Sequence, residues 1–145
     1  MMKAIILSML TLLAACGVSQ PNIDWGKAEC SHCRMNVMDQ HFGAAIITTK
    51  GRQYSFDAVE CMVHFVIGGA GAENDVATYF VADHAHPGVL IDATKASYLH
   101  AADLRSPMGG NCAAFATTAD RDTAAILHNG ELLDWEGVKR LLAKN

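Results

Sequence analysis

The chain has 145 residues, 51% of them hydrophobic and 18% charged, and its 11 basic and 15 acidic side chains give a formal charge of −4. That length suits one compact domain or two very small ones. An acidic balance without a basic patch argues against nucleic acid as a partner.

Not all of the apolar content belongs to a fold. Lys3 precedes the run from Ala4 to Leu13, and Leu13-Ala14-Ala15-Cys16 follows. A basic start, a short apolar stretch and small residues before a cut site make a secretory signal. A spanning helix needs roughly 20 apolar residues, more than this run supplies. Small residues followed directly by cysteine resemble a bacterial lipobox, in which Cys16 becomes the lipidated first residue. The expected division is a signal peptide over 1–15, a lipidated tether over 16–24 and a folded part over 25–145. Residue 17 is Gly, not Asp, so the inner-membrane retention signal is absent. This points to a lipid anchor in the outer membrane, with the protein facing the periplasm.

Ala44 to Thr49 reads as a strand, Lys50-Gly51-Arg52 as a turn and Gln53 to Phe56 as the pairing strand. Asp57 and Glu60 have the spacing of a capping box for a helix that buries Val59, Met62, Val63 and Val66 and ends at Gly68-Gly69. Thr78–Ala82, Gly88–Asp92, Ser97–His100 and Ala113–Ala116 read as further strands. A helix is expected from Thr118 to His128, with Ala124, Ala125 and Leu127 at helical spacing and Asn129-Gly130 as its stop. Leu132-Leu133 is a short strand, and Asp134 caps a last helix carrying Val138, Leu141 and Leu142. Gly51, Phe56, Asp57 and Val59 match Gly130, Trp135, Glu136 and Val138 at equal offsets. That faint repeat favours an α+β fold of two similar small units with mainly antiparallel strands, roughly 25–83 and 84–145.

Two segments carry the chemistry. Cys30-Ser31-His32-Cys33-Arg34-Met35-Asn36-Val37-Met38 holds two cysteines, a histidine and two methionines in nine residues. Thiolate and thioether are soft donors that favour Cu(I), and the thioethers separate it from zinc, which seldom uses them. In the second segment, Ser106-Pro107-Met108-Gly109-Gly110-Asn111-Cys112, proline and glycines put Met108 in a turn and not on a helix face. Cys33, Met35 and Met108 are the leading metal-ligand candidates, followed by Cys30 and His32. Other readings stay open. Four cysteines in an exported protein could form two disulfides or a zinc knot. Cys30-x-x-Cys33 could serve thiol–disulfide exchange, although too few residues precede it for the strand of a thioredoxin-like unit. Cys61 and Met62 read as buried apolar side chains, because neighbouring helical residues cannot all face one site. Asp83-His84-Ala85-His86 reads as a solvated turn in preference to a Cu(II) or Zn(II) loop, and His41, His100 and His128 have no partner visible from spacing.

Cys30-x-x-Cys33-x-Met35, Phe42-x-Ala44, Tyr54-x-Phe56-Asp57, Tyr79-x-Val81-x-Asp83, Pro107-Met108-Gly109 and Ala114-Phe115 occur in an order that resembles the NosL family. Membership would imply two related ββαβ units and a membrane-anchored Cu(I) chaperone, not an enzyme. The implied partner is apo-nitrous oxide reductase, whose copper centres need loading, with other copper-assembly proteins as further partners. Arg34 stands where many members would carry Gly, a departure expected to alter the turn more than the ligands.

Overall fold

The computed structural model describes residues 19–69 and 75–144, so the segment 1–15 expected to be a signal peptide, and Cys16, lie outside the described residues. Seven strands and three helices follow in order: β1 (Ala44–Thr48), β2 (Gln53–Phe56), α1 (Val59–Ile67), β3 (Val76–Ala82), β4 (Leu90–Asp92), β5 (Ser97–His100), β6 (Cys112–Phe115), α2 (Thr118–His128), β7 (Glu131–Leu133) and α3 (Trp135–Leu142). Among these residues no helix is long and apolar enough to cross a membrane.

The strands form two antiparallel sheets, ordered β2-β1-β3-β4 and β6-β5-β7. Each is built by the same path: a central strand, a hairpin partner, a helix, and a third strand on the centre's free edge. The two ββαβ units expected from the sequence are therefore present. The four repeated residues are nevertheless out of register with them. They align the β2-to-α1 corner with the β7-to-α3 corner, whereas the counterpart of β2-to-α1 in the second unit is β6-to-α2. Strand-to-helix corners reuse the same residue types for local reasons, so such matches can arise without structural equivalence.

Burial explains why these segments became strands. Ala44, Ala45, Ile46 and Ile47 of β1 are all buried, as befits a centre strand with neighbours on both edges. The second sheet alternates. Tyr98, Cys112 and Ala114 join the main core with Val59, Met62, Val138 and Leu142, while Leu99, Ala113 and Phe115 face Ala124 and Ala125 of α2. Such period-two switching is what lets a thin sheet serve two cores. Phe56 is fully buried beside Phe65, a contribution of about 1.5–3 kcal/mol from removed apolar surface alone.

Two local expectations fail. Asp57 does not cap α1: the N-cap is Ala58, with no side-chain bond. Asp57 and Glu60 are instead buried, each at 3% exposure. Leu127 faces solvent at 76% exposure, because α2 contacts its sheet mainly through the small Ala124 and Ala125. By contrast, Asp134 caps α3 as its sequence position suggests, accepting from the Gly137 N–H at 2.7 Å.

The two units meet at Asp83, which makes a parallel bridge with Ala114. Its carboxylate accepts from the N–H groups of Ala85 (3.2 Å) and Ala116 (3.4 Å), and its other oxygen lies 2.8 Å from His86 Nδ1. His86 is exposed, in keeping with a solvated turn, whereas His84 packs among the rings of His41, Phe42 and Phe115. At the second unit's edge, a Cβ on Gly130 would sit 2.6 Å from the His100 carbonyl oxygen and 2.7 Å from Leu99 Cδ1. Gly130→Ala should therefore lower the unfolding free energy by about 1–3 kcal/mol in urea denaturation, the usual cost of overpacking. An unchanged midpoint would show that β7 is not held this closely to β5.

Candidate metal centre

The site is built on a small hairpin ahead of β1. Residues on either side of its tip pair back to back: Gly26 N–H to Val37 O and Val37 N–H to Ala28 O, both at 2.8 Å, with a bridge between Glu29 and Asn36. At the tip Cys30 N–H bonds Met35 O at 2.8 Å and Arg34 N–H bonds Cys30 O at 3.0 Å. Ser31 N–H then ties the tip to Ser55 O of β2 at 2.9 Å. Arg34 closes the reversal at φ +70, the left-handed conformation that glycine adopts freely. A non-glycine residue there costs about 1–2 kcal/mol, and the exposed Arg34–Glu29 ion pair at 2.9 Å offsets little of it. The departure at Arg34 thus leaves the turn in the glycine-type geometry.

The turn aims sulfur inward. Cys30 is fully buried and Cys33 half-buried, and both meet Cys61 of α1, itself 1% exposed. All three sulfurs lie within 4.8 Å of one another, and the four described cysteines are free thiols. Cys112, weighed as a zinc-knot partner, sits apart on β6 opposite His100, where burial pushes its thiol up to about 12.

Hydrogen bonding makes the three sulfurs unequal. Cys30 sulfur accepts the S–H of Cys61, then the backbone N–H groups of Cys33 (3.4 Å), Asp57 and His32, and together these outweigh burial and hold its thiol well below the ordinary range. Cys61, as donor to that thiolate and buried, is pushed far up. Cys33 is raised chiefly by burial, opposed by the N–H of Met35. The resting state is one thiolate beside two protonated thiols.

Beside the sulfurs opens a cavity of about 360 Å³, walled by His32, Glu60, Cys61, His64, Met108 and the Gly109-Gly110 backbone. Cys61 is common to the sulfur cluster and the cavity, so it links the two sulfur-rich segments. His32 and His64 stand edge to face with ring centroids 5.6 Å apart. His64 Nε2 lies 2.9 Å from the Leu142 carbonyl, so Nε2 is a donor and the bond fixes the ring on the cavity wall.

Of the candidates from sequence, Cys30 and Cys33 converge on one point, and His32 and Met108 stand on the wall of the adjoining cavity. Met35 is 58% exposed on the outer side of the hairpin, its N–H on Cys33 sulfur. Cys61 is the residue that sequence reasoning missed. It is buried as expected, but Cys61 and His64 share a helical face at a spacing of three while Met62 turns to the core. That spacing was the available signal.

A ββαβ-duplicated α+β domain in which three cysteine sulfurs converge presents a donor set that could hold a soft metal ion. Residues 25–143 match the NosL family, and the chain belongs to it. The fold is that of the crystal structure of the copper chaperone NosL from Shewanella denitrificans, with 19% sequence identity, a TM-score of 0.68 and coverage of 81% of this chain and 93% of that one. No curated protein matches the sequence.

The unequal thiols predict how affinity follows pH. Around neutral pH Cys30 has already lost its proton, whereas Cys33 and Cys61 keep theirs and must release them on binding a cation. Apparent Cu(I) affinity should therefore rise about a hundredfold per pH unit, two protons per ion, as measured by competition with a chelator corrected for its own protonation. One proton per ion would mean that one of the raised thiols does not bind; three would mean that Cys30 is an ordinary thiol.

Proposed function

We propose that this chain is an envelope carrier that binds Cu(I) and delivers it for metal-centre assembly of nitrous oxide reductase. The observation that carries the reading is the convergence of Cys30, Cys33 and Cys61 without a disulfide, with Met108 and two histidines on the adjoining wall. Three soft donors favour Cu(I) over harder ions. In a thiolate site of low coordination number, an incoming ligand can add before a resident one leaves. Cys33 is the accessible member of the cluster, so exchange with an acceptor begins there or through the cavity beyond Cys61. Met35, Met108 and His32 supply further donors for the ion in transit. Lipidation at Cys16 would hold the carrier at the membrane, at the periplasmic face of the outer membrane to which Gly17 points, and confine exchange to the periplasm.

Thiol–disulfide exchange, the rival use of Cys30-x-x-Cys33, needs an accessible nucleophile. Here the thiol with the lowered pKa is Cys30, which is fully buried and lies in a turn and not at a helix start. A carrier therefore fits the geometry better than an oxidoreductase.

The reduced protein should take up one Cu(I) per monomer in a chelator competition. Cys33→Ser and Cys61→Ser should each weaken binding by more than the roughly 10–100-fold typical of outer-sphere changes, with Met35→Leu and Met108→Leu costing less. Retention of full affinity by Cys61→Ser would remove the three-thiol site. Delivery is checked separately. Apo-nitrous oxide reductase incubated with the Cu(I)-loaded protein should gain copper and activity faster than with Cu(I) buffered by the chelator at equal free concentration. Equal rates would leave a copper-binding protein without a delivery role.

A further inference from the structure

We infer that Glu60 is a positioning residue: it clamps the Met108 loop to the helix that carries Cys61, and so decides whether the thioether reaches the cargo. The inference rests on the Cu(I)-carrier reading and extends it to a residue that is not itself a soft donor. Glu60 directly precedes Cys61 and lines the same cavity, yet it is only 3% exposed. Its Oε1 accepts from Ser106 Oγ at 2.5 Å and from Gly110 N–H at 3.0 Å. Ser106 Oγ accepts in turn from Asn111 N–H at 2.8 Å. Both feet of the loop are thereby pinned to α1, and the apex Pro107-Met108-Gly109 projects between them.

The fit leaves no slack. A Cβ on Gly110 would lie 2.8 Å from Glu60 Cδ and 3.0 Å from Leu142 Cδ2, so glycine is what allows the backbone to reach the carboxylate. Asn111 (φ +51) and Gly109 (φ +78) bend the chain into the left-handed region on either side of that contact. Glu60 Oε2, meanwhile, has no hydrogen-bond partner among the described residues. A buried carboxylate with an unsatisfied oxygen is costly, and such a group in a native fold calls for a reason. Leucine or alanine would suit α1 better if the helix alone mattered. The clamp gives the reason, because no apolar side chain could hold the Ser106 hydroxyl and the Gly110 N–H together.

The test uses reduced protein carrying methionine labelled with 13C at its methyl group, titrated with Cu(I) against a chelator. In the unmodified protein the Met108 methyl resonance should shift as copper binds. In Glu60→Ala the thiolate-to-copper absorption should persist, the Met108 methyl should no longer shift, and affinity should fall roughly 10–100-fold, as for other outer-sphere partners. Adding Met108→Leu to that variant should cost nothing more, whereas Glu60→Gln, which keeps an acceptor oxygen for both donors, should restore the shift. Ser106→Ala cuts the same clamp from the loop side and replaces Glu60→Ala if the latter does not fold. A Met108 shift with unaltered affinity in Glu60→Ala or Ser106→Ala would overturn the inference. So would additive losses in the double variant, failure of Glu60→Gln to rescue, or a Met108 methyl in the unmodified protein that ignores bound copper. Absence of any Cu(I) uptake by the unmodified protein would instead sink the carrier reading itself.

Discussion

The sulfur of Cys30 is the fixed point of this molecule. It gathers the Cys61 S–H and the backbone N–H groups of His32, Cys33 and Asp57, and so it joins the N-terminal hairpin, the β2-to-α1 corner and the first turn of α1 at one atom. A sulfur anion buried without such donors would be strongly unfavourable. With them, it becomes a stable centre that keeps two neighbouring thiols within reach. The sheet geometry follows suit: Ser31 is hydrogen-bonded to β2, and β2 flanks the buried centre strand β1.

Packing of the second unit completes the site. α3 follows the last strand of that unit, yet Val138 and Leu142 share a core with Val59 and Met62 of α1. The Leu142 carbonyl fixes the His64 ring, and the Leu142 side chain leaves no room for a Cβ at position 110. Neither ββαβ unit alone contains the cavity, whose walls come from the hairpin, α1, the loop before β6, and α3. Duplication of a simple α+β unit thus creates, at the join, a place that neither copy possesses.

Much of this was legible in the sequence. Strand and helix positions came through because β-branched alternation and helical spacing are local signals, and β2, β5 and α2 begin and end where those patterns do. The Asp134 cap was readable for the same reason. Asp57 and Glu60 were misread because a capping box and a pair of buried acids share one spacing, and only the distant partners Met38, Ser106 and Gly110 decide between them. Those contacts span up to 50 positions, beyond any local pattern. The two candidate segments were visible through their sulfur content. Cys61 was not, because on a helix a cysteine looks like any small apolar residue until the partner opposite it is known.

A carrier of this design has to hold copper firmly without completing its coordination. Under the proposed function, burial of Cys30 and Cys61 would supply the hold, and the half-buried Cys33 together with the Met108 and histidine wall would leave a way out. The account depends on sulfur from both the hairpin and α1 surrounding one ion. Copper K-edge X-ray absorption on the Cu(I)-loaded protein tests this most directly. The account predicts an inner coordination sphere made of sulfur that loses a sulfur in Cys61→Ser. A sphere dominated by nitrogen or oxygen, or one that is unchanged in Cys61→Ser, would contradict it.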